Sequence, residues 1–76
     1  MNNDRRKRIA AISEKLEELH AELEGIQEEE QEAFDSMPES LQQGDRGQQA
    51  EQAADALSSA ASSLEELNYY LATAQE

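Results

Sequence analysis

His20 is the only histidine, and it follows Glu17 by three positions in Glu17-Glu18-Leu19-His20. Glu-x-x-His is the spacing with which helices of di-iron bundles place a carboxylate and an imidazole on one face. Such sites need ligands projecting inward from four helices. Here Leu16 and Leu19 take the inward positions and leave His20 at the margin. Glu65 and Glu66, the acids available from the second half, face away or edge-on. The pattern therefore predicts no metal site. No cysteine is present, so disulfides and thiolate ligands are excluded. The carboxylates lack the burial that would separate a catalytic acid from a base. There is no glycine-rich phosphate loop, no calcium loop and no serine beside a base. The expectation is a protein that is not an enzyme, with no catalytic residue and no cofactor.

The remaining chemistry is charge. The chain carries 18 acids against 6 Lys and Arg, a net charge of −12. Asp4 set against Arg5, Arg6, Lys7 and Arg8 leaves residues 1–8 at +3. The other 17 acids against Lys15 and Arg46 leave residues 9–76 at −15. Glu14, Glu17, Glu18, Glu24, Glu28 and Glu32 recur so as to share the outer faces of one helix. Residues three or four apart on a helix are about 5–6 Å apart, close to the spacing of neighbouring phosphates on a nucleic acid. These six glutamates are the candidate partner-binding residues. Their partner is expected to be a basic protein surface, such as that of host nucleic-acid-processing or defence machinery. The plainer reading is a solvated face that keeps a small protein soluble. A body this acidic repels phosphate backbones and anionic membranes, so neither nucleic acid nor membrane is an expected partner. The Arg5–Arg8 cluster lacks interleaved aromatics. It is explained by lying beside the negative end of a second helix.

The elements that carry these residues follow from apolar spacing. Ile9, Ile12, Leu16, Leu19, Leu23 and Ile26 advance in alternating steps of three and four, a heptad seam with a at 9, 16 and 23 and d at 12, 19 and 26. Ala50, Ala53, Leu57, Ala60, Leu64, Leu67, Leu71 and Ala74 repeat the device, with a at 50, 57, 64 and 71. Between them Pro38, Gly44 and Gly47 interrupt, and the heptad phase slips by one residue. Helix one is expected over 4–35, a connection with a short helical turn at about 37–42 over 36–45, and helix two over 46–75. At 1.5 Å per residue the long helices are about 48 and 45 Å long. Matched lengths predict an all-α, antiparallel two-helix coiled-coil hairpin filling residues 1–76 as one domain. The expected layers include Ile9/Ala74, Leu16/Leu67, Leu19/Leu64, Leu23/Ala60 and Ala33/Ala50. Phe34, Met37 and Leu41 should plug the closed end. Ser36/Glu39 and Asp45/Gln48 have capping-box spacing. Glu30 occupies a core position near the loop, within reach of solvent or Arg46.

Helix two is rich in small residues from Ala53 to Ser63. Ala54 and Ala61 would widen its seam and let another backbone approach, so both are candidate self-association residues. A chain this short seldom buries enough apolar surface alone. The expected remedy is a homodimer forming a four-helix bundle, and the alternative function is a structural or assembly role through this Ala/Ser stripe. Tyr69, at an outward f position, is the candidate aromatic anchor for a partner. No stretch approaches the roughly 20 apolar residues of a membrane span. Hydrophobic residues make up 37% and mean hydropathy is −0.92, a composition that also suits disorder; the periodicity opposes it.

Phe34-Asp35, Met37-Pro38-Glu39-Ser40-Leu41 and Arg46-Gly47, flanked by acidic helices, resemble small acidic helical proteins encoded by bacteriophages and prophages. The resemblance spans most of the chain and carries no catalytic residues. It implies a setting, the bacterial cytoplasm, and a role as an inhibitor or modulator of a host protein.

Overall fold

A computed structural model describes all residues 1–76. Helix α1 runs Asn3–Asp35, α2 is a single turn Glu39–Gln42, and α3 runs Asp45–Ala74. There are no strands. The long helices pack side by side as a hairpin measuring 58 × 15 × 12 Å. Asn2 caps α1: its Oδ1 accepts the Arg5 backbone N–H at 2.8 Å, which satisfies one of the free amides of the first turn.

The connection is built differently from either expected capping box. Ser36 closes α1, its N–H donating to the Glu32 carbonyl at 2.9 Å. Pro38 precedes α2, whose expected extent from residue 37 is shortened to Glu39–Gln42. Gly44, not Asp45, stands at the N-cap of α3 and offers no side chain; Asp45 lies in the first turn, where its charge faces the positive helix end. The Gln42 side chain donates to the Phe34 carbonyl at 3.0 Å and ties α2 to the end of α1. Phe34 and Met37 are half-buried at this closed end, whereas Leu41 is 46% exposed and plugs nothing.

Gly47 is buried and sits inside α3 rather than in the connection. A Cβ at this position would lie 2.0 Å from the Gln42 carbonyl oxygen. Only a hydrogen on Cα lets the end of α2 rest on the first turn of α3. The tight fold-back therefore depends on this glycine's missing side chain.

The seam is rotated from its expected phase. In α1 the half-buried positions are Arg6, Ile9, Ser13, Leu16, His20, Leu23, Gln27, Glu30 and Phe34. In α3 the covered positions run Gly47, Ala50, Ala54, Leu57, Ala61, Leu64, Asn68, Leu71 and Gln75, with Ala53 and Ala60 partly covered. These are a and e positions on both helices, where the sequence pointed to a and d. Ala33, an expected core residue, is exposed, as are Ile12, Leu19, Ile26 and Leu67. Since each residue turns a helix by about 100°, exchanging d for e rotates the contact face by about 50°. The small side chains account for the choice. Ala50, Ala54 and Ala61 are the buried hydrophobic residues, and they form a shallow trough on α3 along which α1 packs, while Gly47 receives the end of α2. Ala54 and Ala61 are thus used inside the hairpin and are not on its surface, correcting their expected place in self-association.

Candidate interaction surface

Long helices fix the orientation of every charged group. Glu14, Glu17, Glu18, Glu24, Glu28 and Glu32 are all exposed along α1, with Glu17, Glu24 and Glu28 on the flank that meets α3 in a shallow groove. Five of them, all but Glu24, make no ion pair. The cations are spent elsewhere or stand free. Arg8 pairs with Asp4 at 3.2 Å on its own helix. Arg6 donates from Nε to the Gln75 carbonyl at 2.9 Å, one of the free carbonyls at the end of α3. This contact bears out the placing of the basic cluster beside the second helix's C-terminus. Lys15 and Arg46 form no ion pair, and Glu30 is half-buried without reaching Arg46.

Glu24 belongs to a cluster that the sequence placed at the margin. His20 Nδ1 lies 2.9 Å from Glu24 Oε1, and its Nε2 lies 3.1 Å from Glu65 Oε1 of α3. The His20 side chain is only 20% exposed, because the rotated seam brings its e position inward. The imidazole stands within ion-pair distance of one acid from each helix. Three possible ligand atoms thus lie within 4.8 Å of one another. The three side chains join α1 to α3 at one point. They line an open polar groove with Gln27, Gln31, Ser58 and Ser62.

Tyr69 is 69% exposed and meets Tyr70 edge-on, with ring centroids 5.9 Å apart. Tyr70 is itself 58% exposed, and its hydroxyl donates to Glu66 at 3.3 Å. Tyr69 stands towards the open end of the hairpin, six residues before Gln75 on α3, and not within the row of glutamates on α1.

The sequence reading missed two features. One is the His20 bridge, which requires the e positions to face inward. The other is a row of uncovered apolar d positions, Ile12, Leu19, Ile26 and Leu67, each between 44% and 48% exposed. The signal for both was present: Ala54 and Ala61 at e are smaller than Leu67 at d, and small residues favour close helix approach. No helix is long and apolar enough to cross a membrane. No protein-family model, curated protein or solved structure matches this chain.

Proposed function

We propose that the chain is a non-enzymatic protein-interaction module that presents the outer glutamates of α1 to a basic protein surface. The observation that carries this reading is that Glu14, Glu17, Glu18, Glu28 and Glu32 are exposed on one rigid helix without a cationic partner. Gathering like charges this way costs stability through mutual repulsion, and a basic partner relieves that cost. The helix holds the carboxylates at fixed spacing, so no side-chain array must be organised at the moment of docking beyond the glutamates' own rotamers. The resemblance to bacteriophage and prophage proteins suggests the setting. The target would be a host nucleic-acid-processing or defence protein in the bacterial cytoplasm, inhibited by a carboxylate ladder standing in for phosphates. Tyr69 adds an aromatic contact at the open end.

The test is capture from bacterial lysate at low and high salt with wild type and with a variant carrying Glu14→Lys, Glu17→Lys, Glu24→Lys and Glu28→Lys. Capture of a basic protein should fall roughly tenfold or more as salt rises, because exposed charges are screened. The charge-reversed variant should lose it while circular dichroism still reports a helical chain. Capture that survives both changes rules out an electrostatic interface on α1.

A further inference from the structure

The hairpin has two unlike sides. The Arg6 contact with Gln75 and the His20 contact with Glu65 join e positions and their b neighbours, so these define one side. In an antiparallel pair, identical heptad positions of the two helices share a side. The d positions and the adjacent g positions therefore lie together on the opposite side. That side carries Ile12, Leu19 and Ile26 from α1, exposed by 48%, 48% and 46%, and Leu67 and Tyr70 from α3, exposed by 44% and 58%. Between Gln49 and Ala74, α3 has no charged residue at any d or g position.

The covered part of the chain is thin. The buried residues are one glycine and three alanines, and no large side chain is fully buried. The apolar residues of this side run from Ile12 to Ile26, about 21 Å along a hairpin 15 Å wide, with charged positions flanking them at both ends.

The pattern on this side is self-complementary. The g positions of α1 are Arg8, Lys15, Glu22 and Glu29, two cations followed by two anions. Laid antiparallel on a second α1, they place Arg8 opposite the other copy's Glu29 and Lys15 opposite its Glu22. The same alignment stacks Ile12 on Ile26 and Leu19 on its own copy. A two-fold axis through Leu19 fits α3 as well. The Arg6 contact with Gln75 and the His20 contact with Glu65 set Leu19 opposite the stretch of α3 between residues 62 and 66, which contains the point halfway between Ala60 and Leu67. The axis thus sets Ala60, small, against Leu67, large, of the other copy. One operator satisfies the charges of α1 and the volumes of α3 together, the condition for a closed isologous contact.

We infer that a second copy of this chain docks antiparallel on the Ile12, Leu19, Ile26 and Leu67 side, making a four-helix dimer with Lys15 and Glu22 paired across the two-fold axis. The glutamates at 14, 17, 24 and 28 remain outside, so this inference stands independently of the proposed partner.

Sedimentation equilibrium of the full chain across the micromolar range tests it. Wild type should be a dimer, and Leu19→Glu should be a monomer. Lys15→Glu and Glu22→Lys should each weaken dimerisation on the order of tenfold, because every substitution acts twice about the axis. The double variant Lys15→Glu/Glu22→Lys should restore the wild-type constant. A monomeric wild type overturns the inference, and so does a dimer indifferent to Leu19→Glu. A double variant no tighter than the single ones overturns it as well, by excluding the antiparallel alignment. Should Leu19→Glu unfold, the charge-swap series, all at exposed positions, decides the matter alone.

Discussion

At Gly47 the usual effect of a helical glycine is reversed. Replacing glycine by alanine inside a helix ordinarily adds up to about 1 kcal/mol of stability. At Gly25, where an added Cβ meets nothing within 4 Å, that gain should appear: Gly25→Ala is expected to raise Tm by about 4–8 °C per kcal/mol gained. At Gly47 the added Cβ would stand 2.0 Å from the Gln42 carbonyl oxygen, and backbone must move. Gly47→Ala should lose about 1–3 kcal/mol, the range of overpacked sites. Thermal unfolding of both variants checks the pair, and equal shifts in the same direction would refute the packing argument. The sequence showed Gly47 as a breaker near the turn. Its real constraint lies in where α2 comes to rest, which no local pattern records. Asn2 is the converse case. An Asn ahead of an acidic first turn is a legible cap, but attention to the basic cluster that follows hid it.

At the scale of elements, the two long helices, the short turn and the antiparallel arrangement were written in apolar spacing and in Pro38. The His20–Glu65 and Arg6–Gln75 contacts lie within two residues of the expected register, although Leu19 itself is exposed. The rotation of the seam was not legible from spacing alone. Steps of three and four describe a/d and a/e stripes equally well, and what separates them is side-chain volume summed along both helices. One consequence concerns Glu30, which keeps an a position in either phase. It is half-buried with no ion pair. Glu30→Leu should stabilise the hairpin by about 1 kcal/mol through added apolar burial, read as a higher urea midpoint at unchanged slope. A lowered midpoint would mean that the carboxylate holds a contact the seam depends on. The acidic faces, by comparison, follow directly from the heptad, because b, c and f positions remain outside whichever of the two stripes is used.

For the whole molecule, charge and shape act together. Residues 9–76 carry 17 acids against two cations, and an elongated hairpin spreads them along 58 Å instead of neutralising them. Repulsion along such a rod is screened when the Debye length falls from about 10 Å at 0.1 M salt to about 3 Å at 1 M. Tm should therefore rise with added salt, over the same range in which binding of a basic partner weakens. A Tm that falls with salt would show that the few ion pairs outweigh the repulsion.

Arg6 grips the carbonyl of Gln75, so both ends of the chain leave from one tip while α2 closes the other. Tension applied to those ends does not shear the rod along its length. It peels α1 from α3 like a zipper, one side-chain rung at a time, beginning at that single guanidinium. A translocating protease that seized one end while the other was tethered would meet a succession of small barriers rather than one large one.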